Sequence, residues 1–324
     1  MTTATELVVA VDLGGTFTKL GLIDRNGEVL AEERVPTKLT ADADGDGRGT
    51  VDWLGDQIAA MAESGAAEIG GRAVAYGLIV PGIVDATSGV AVAAPNIGWS
   101  KIELAAPLSR RVGIPGTIGH DVRTAGLAEW KLGAGRDVAN LLFVPLGTGI
   151  AAAAVVDGRL LEADGYAGEL GHVSVPAAGD RVCACGRVGC LEIVASASGV
   201  VRNYVAMTGA AQPPNAEQLA NAARSGDRDA LAAFEVAAVA LAEAFTMALT
   251  LLGPETIVIG GGLSGAADLL FDTIEGEFDR RLTFQRRPNL TTSAFGSQAG
   301  MIGAGLLGWQ QAGDNTPGDP APVA

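Results

Sequence analysis

Cysteine and histidine are scarce in this chain, basic residues are in deficit, and no long unbroken apolar run occurs. Its 324 residues include 3 Cys and 2 His. An odd number of thiols in so long a chain does not make a disulfide framework. Lys and Arg number 22 against 37 Asp and Glu, for a net charge of −15. With no Lys/Arg cluster longer than three residues, binding to a phosphate backbone is disfavoured and no nucleic-acid partner is expected. The opening MTTATELVVAVDLGG has no basic segment before its apolar run, so no signal peptide is expected. Residues 141–156 are the most apolar stretch, but Pro145, Gly147 and Gly149 interrupt them. They are too short to span a membrane, and the expected location is cytoplasmic. No GxxxxGK[ST] motif is present, which excludes a Walker nucleotide site.

What is present is concentrated. Residues 172–192, HVSVPAAGDRVCACGRVGCLE, hold all three cysteines and one of the two histidines. His172, Cys183, Cys185 and Cys190 form a Cys3His set, and Gly186 and Gly189 allow the backbone to turn the thiolates inward. Four N and S ligands with no open position argue for a structural, tetrahedral zinc site; three buried thiols and a core histidine are the alternative. GELGH (168–172) enters the site and Glu192 leaves it, so the metal clamps two carboxylate-bearing segments. One nitrogen of His172 on the metal leaves the other directed at a ligand hydroxyl. That is a scaffold for a polar small molecule.

The length, and an apolar content of 48%, suit a two-domain or two-lobed α/β protein. Residues 7–13 and 19–23 read as a strand–glycine turn–strand hairpin. Gly14, Gly15 and Thr16 offer a phosphate cradle at its tip, and Asp12 stands ready for hydrated Mg²⁺; a plain hairpin turn remains open. A third strand covers 28–35. The loop DADGDG at 42–47 mimics a calcium site, but Trp53 falls where a bidentate Glu is needed, so it is read as solvated. Thr50 is expected to cap a helix through Ser64, with Val51, Leu54, Ile58 and Met61 on its core face. Residues 73–84 form a buried apolar strand run ended by Pro81-Gly82, and a short strand at 90–94 leads to Pro95-Asn96 and Trp99. Asn96 is either a sugar-holding amide or a turn residue.

Asp121 lies where a strand at 117–118 meets a helix to Lys131. It is either a general base or an N-cap. PLGTGIAAAAVVDGRLL then repeats the opening logic, with Gly147, Thr148 and Gly149 as a second phosphate turn, which suggests a duplicated fold. Helices are expected at 195–207, 217–224, 229–252, 266–282 and 298–311, with strands at 255–259 and 292–295. Gly260, Gly261 and Gly262 follow the first of those strands, where absent side chains admit a planar base or ribose. The last dozen residues are expected to be disordered.

Over residues 7–308 the chain resembles the ROK family of sugar kinases and repressors, within the actin/hexokinase superfamily, and most of all its glucokinases. DLGGT, APN, the Asp121 helix start, LGTG, GELGH, CACGRVGCLE and IGGGL carry the resemblance. It implies a two-lobed, ribonuclease H-like α/β fold with a cleft. The smaller lobe would hold residues 1–118 and about 298–312, the larger 119–297. It implies a kinase using Mg²⁺ with ATP, in which Asp121 takes the proton from a hexose 6-hydroxyl, glucose by default. Asn96, Glu169, His172 and Glu192 would hold the ring hydroxyls. The turns at Asp12, Gly14, Gly15, Thr16 and Lys19 and at Gly147, Thr148 and Gly149 would hold phosphates, with Gly260, Gly261 and Gly262 beside the adenosine. A homodimer or homotetramer is implied as well. The family usually carries Asn-Asp-Ala-Asn where this chain has His120-Asp121-Val122-Arg123. His120 is therefore expected to line the pocket and retune the sugar, with amino-sugar kinases, an inactive sugar-binding protein and a polyphosphate donor as alternatives. A repressor of the family would need an N-terminal winged helix, which is not expected here.

Overall fold

The computed structural model describes residues 4–40 and 47–313. The chain divides into two compact units: Met1–Arg136 with Glu162–Ala167 and Gln298–Ala324, and Asp137–Leu161 with Gly168–Ser297. Residues 119–136 thus group with the first unit, where the sequence had suggested the second, because the strand feeding them pairs within the first sheet. Most of the calcium-like loop and the expected disordered tail beyond residue 313 lie outside the described residues.

The first unit opens with β1 (Thr5–Leu13), β2 (Phe17–Ile23) and β3 (Val29–Pro36). Helix α1 (Arg48–Ala60) runs into a π-helical turn, Met61–Gly65, and a short α2 (Ala66–Glu68). Then come β4 (Gly71–Val80), β5 (Ile83–Asp85), β6 (Val90–Ala94), β7 (Trp99–Glu103), α3 (Ala105–Val112), β8 (Gly116–His120) and α4 (Asp121–Lys131). The main sheet has the order β3-β2-β1-β4-β8, and β5-β6-β7 form a small antiparallel sheet. β1 is central and buried along its run from Leu7 to Val11, as a strand covered on both faces must be. Val51, Leu54, Ile58 and Met61 are buried as expected. Thr50 is not the cap of α1: Gly47, in the left-handed region at φ 64°, holds that position. Thr50 lies inside the helix and its hydroxyl accepts the Thr40 N–H at 3.0 Å.

The second unit contributes β9 (Leu141–Pro145), β10 (Ala153–Val156) and β11 (Arg159–Leu160), then α5 (Glu192–Ala195), α6 (Ala197–Thr208), α7 (Ala216–Arg224) and α8 (Arg228–Leu252). β12 (Thr256–Gly260), α9 (Phe271–Arg281) and β13 (Asn289–Thr292) complete it. Its sheet order, β11-β10-β9-β12-β13, repeats that of the first unit: three antiparallel strands, then two added in parallel. The duplication expected from the two glycine hairpins is present in the topology. The helix expected at 266–282 is instead a 3-10 segment, Gly262–Leu269, followed by α9, because Ala266 leaves helical geometry at φ −113°. The last strand falls at 289–292, earlier in the chain than expected. Helix α8 is long and apolar enough to cross a membrane, but 56% of its most apolar window is buried inside the unit, as befits a core helix.

The chain then returns to the first unit with α10 (Ala299–Gln311). Met301, Ala304 and Trp309 pack on Val8, Ala10, Ile23, Ala75 and Ile79. The approach is backbone to backbone, since a Cβ on Gly77 would lie 2.0 Å from the Ala304 carbonyl oxygen. The Trp309 indole donates to the Asp24 carbonyl at 2.8 Å.

Candidate active site and zinc centre

In the first unit, the β1–β2 turn presents Gly14, Gly15 and Thr16 to solvent, and Asp12 pairs in register with Lys19. Burial holds the Asp12 carboxyl above its ordinary range, with the Lys19 ammonium opposing the shift. Thr37 braces the turn, donating its hydroxyl to the Gly14 carbonyl at 2.7 Å. A side chain on Gly15 would begin 3.7 Å from the Asn96 carbonyl oxygen, so the turn lies against Pro95–Ile97, the 3-10 turn that carries Asn96.

β8 ends at His120 and α4 begins at Asp121. The cap is His120, not Asp121: its Nδ1 accepts the Arg123 N–H at 3.2 Å. The Asp121 carboxylate accepts the Val122 N–H at 2.7 Å, and its Oδ1 lies 3.1 Å from His120 Nε2. The Asp121 side chain is 40% exposed and the His120 side chain 9%. Burial, then the Arg123 guanidinium, lowers the His120 pKa to about 3. An Nδ1 that accepts a hydrogen bond carries no proton. The imidazole is neutral. The Arg123 guanidinium, itself buried, donates to the carbonyls of Gly165 at 2.9 Å, Ala167 at 3.2 Å and Val84 at 3.4 Å.

In the second unit, the ligand atoms of His172, Cys183, Cys185 and Cys190 all lie within 4.8 Å of one another. The Cys185 and Cys190 sulfurs are 3.7 Å apart, and Cys183 Sγ is 3.9 Å from His172 Nδ1. A tetrahedral Zn²⁺ with Zn–S of ~2.3 Å needs sulfur–sulfur edges of ~3.8 Å. The residues fit the metal, with Nδ1 as the histidine donor. The knuckle is built by Cys183 N–H to the Arg187 carbonyl and Gly186 N–H to the Cys183 carbonyl. Gly186, at φ 86°, takes the left-handed turn that this loop requires.

GELGH and Glu192 meet at one stretch of the second hairpin. Glu192, the first residue of α5, accepts the Ile150 N–H at 2.9 Å through Oε2. Its carboxylate oxygen lies 2.8 Å from the point where a Cβ on Gly149 would stand, so a side chain there would push the Glu192 carboxylate aside. The Ala152 N–H donates to the Gly168 carbonyl at 2.7 Å, which straps the exposed Glu169 beside the same strand. On the other side of the turn, the Leu146 N–H donates to the Gly260 carbonyl at 2.9 Å and the Leu146 carbonyl accepts from Leu263 N–H. Gly147, Thr148 and Gly149 therefore stand between the zinc-bearing segment and the Gly260–Gly262 turn.

Next to that turn is a cavity of about 550 Å³. Gly262 and Leu263 line one side and Asn215, Glu217, Asn221 and Arg224 another. Arg224 is held by both Asp268 oxygens, at 2.9 and 2.6 Å, and by the Gly265 carbonyl. The sequence reading missed these α7 residues. Their signal was a polar stripe at helical spacing, Glu217, Asn221 and Arg224, opposite the buried Leu219, Ala220 and Ala223.

Two α/β units of the same topology, each with a glycine hairpin, and a Cys3His zinc centre beside the second hairpin define a sugar-kinase-like class of protein. The chain belongs to the ROK family, whose profile matches residues 8–311. It is 32% identical over 322 residues to a glucokinase of Halalkalibacterium halodurans, covering 94% of this chain and 95% of that one. It is 30% identical to a glucokinase of Streptomyces coelicolor over 93% of this chain and 97% of that one. Among solved structures, the ROK glucokinase of Streptomyces griseus, in complex with glucose and AMPPNP, superposes with a TM-score of 0.76 at 29% identity, covering 94% of this chain and 99% of that chain.

Proposed function

We propose that this protein is an ATP-dependent hexose kinase that transfers the γ-phosphoryl group of Mg-ATP to the 6-hydroxyl of glucose, with Asp121 as general base and the cytoplasm as its place of action. The observation that carries the reading is the junction of β8 and α4. There a partly exposed carboxylate is held by the Val122 N–H at 2.7 Å, at the strand end where α/β sheets place reactive groups. Asp121 takes the hydroxyl proton as the sugar oxygen attacks phosphorus, and ADP leaves. Asn96, Glu169, His172 and Glu192 hold the ring hydroxyls. With Nδ1 of His172 facing the sulfurs, its Nε2 is the nitrogen for a sugar hydroxyl. The Gly14–Thr16 and Gly147–Gly149 turns present backbone N–H groups to phosphate oxygens, and the cavity flanked by Gly262 and Arg224 takes the adenosine. Magnesium, when bound, offsets charge on the phosphoryl oxygens. Positioning and charge neutralisation supply most of the acceleration in such transfers. The glucokinase relatives at about this level of identity support the same reading.

The test is ADP release from Mg-ATP across a panel of hexoses and aminohexoses, for wild type and Asp121→Asn. Release with glucose exceeding the other sugars, and a kcat reduced about 10²- to 10⁴-fold in Asp121→Asn, is expected for loss of a general base. Release with an aminohexose only would refute glucose as the substrate. An undiminished Asp121→Asn would refute the base.

A further inference from the structure

His120 and Arg123 stand where the family usually carries asparagines, and the simplest expectation is that the first touches the sugar. Both ring nitrogens of His120 are engaged inside the first unit: Nδ1 accepts the Arg123 N–H at 3.2 Å, and Nε2 lies 3.1 Å from Asp121 Oδ1. Since Nδ1 is an acceptor, the proton of the neutral ring is on Nε2, the nitrogen that lies 3.1 Å from the carboxylate oxygen. The ring is also immobilised, being 9% exposed and fixed at its other nitrogen by the first turn of α4. The junction beneath it is equally tight, as a Cβ on Gly119 would stand 2.6 Å from Thr124 Oγ1 and from Leu307 Cδ1.

We infer that His120 is a positioning residue for the reaction: its Nε2–H orients the Asp121 carboxylate, its Nδ1 caps the helix that presents it, and it makes no contact with the sugar. The inference rests on the reading of Asp121 as the base. Arg123 extends the same arrangement. Its backbone N–H fixes the ring, and its guanidinium fixes the carbonyls of Gly165 and Ala167, the segment that leads directly into Gly168 and Glu169. The two departures from the family pattern are therefore one linked substitution, in which the histidine sets the base and the arginine holds both the histidine and the approach to a sugar-binding carboxylate.

Two replacements separate the roles. Serine at 120 still accepts the Arg123 N–H, so it keeps the cap, but it is too short to reach Asp121. Asparagine keeps the cap and retains an N–H₂ donor. Steady-state kinetics with glucose and ATP, and with the epimers mannose and galactose, should show His120→Ser with kcat lowered about 10- to 100-fold, the range for losing a hydrogen bond to a charged group. Its sugar KM should stay within about twofold and its relative rates across epimers should be unchanged. His120→Asn should recover most of the lost kcat. A sugar KM raised about tenfold in His120→Ser at unchanged kcat, or a changed epimer preference, is the behaviour of a sugar contact and would overturn the inference. Asp121→Asn, run alongside, keeps the two readings apart. If it is inactive while His120→Ser has wild-type kcat, the positioning inference alone fails; if it is fully active, the assignment of the base fails first.

Discussion

Acid should destabilise the wild-type protein more steeply than a His120→Asn variant. The His120 pKa falls from 6.5 to about 3 on folding, through burial and then the Arg123 guanidinium. The folded state thus binds no proton at His120 between those values, whereas the unfolded state does. Stability from this group is complete above pH 6.5 and is lost as pH falls towards 3. At pH 5, about 1.5 units below the unfolded value, the loss is roughly 2 kcal/mol. A side chain only 9% exposed suffers little solvent screening, so the figure needs no large discount. Asparagine keeps the helix cap and does not titrate, so subtracting its pH dependence removes the shared contributions of carboxylates and zinc ligands. The assay is urea unfolding of both proteins at pH 8 and pH 5, holding zinc constant. Wild type should lose about 2 kcal/mol more than the variant over that interval. With only 2 His in the chain, and His172 committed to the metal, the His120 ring signal is also directly assignable by NMR. Parallel stability profiles, or a His120 resonance that titrates near pH 6.5, would refute a neutral, buried imidazole beside Asp121.

Zinc and glycine geometry give two further expectations. Cys185→Ser should lose zinc, read by native mass spectrometry, and raise the glucose KM with it; because Cys185 is exposed while Cys183 and Cys190 are buried, serine there does not disturb packing, and full zinc occupancy would refute its role as a ligand. Gly261 combines φ 72° with ψ −179°, and an added Cβ would lie 2.6 Å from the Leu146 carbonyl oxygen. Gly261→Ala should cost about 1–3 kcal/mol in backbone strain and raise the ATP KM with little change in that for sugar, measured by varying each substrate in turn.

The rare residue types were the most legible part of this chain. A Cys3His set can be read from spacing because four such ligands in so short a run serve few other purposes, and the structure brings all four together. Both glycine hairpins were legible because a strand, a turn and a strand each leave local signatures, and the repeated sheet order followed from them. What stayed hidden depended on partners distant in sequence. The carbonyls that hold Arg123 lie 39 to 44 residues away, and no local pattern announces them. The direction of the His120 ring is set by which backbone N–H the cap accepts, a matter of angles and not of composition. The cap of α1 was misread because the helix starts from Gly47 in a left-handed conformation with no side-chain cap, and Thr50 serves Thr40 instead.

Helix α10 imposes an order of assembly on the newly made chain. Trp309 and Asp24, which it joins by a hydrogen bond, are 285 residues apart, so at about 5–20 residues per second a ribosome needs roughly 15–60 s to deliver one to the other. Through that interval the sheet face formed by Val8, Ala10, Ile23, Ala75 and Ile79 has no cover, since Met301, Ala304 and Trp309 have yet to emerge. The second unit, ending at Ser297, has its whole sequence available sooner. The part of the protein that is synthesised first is thus the part completed last, and its bare sheet is the surface that a nascent-chain chaperone would meet.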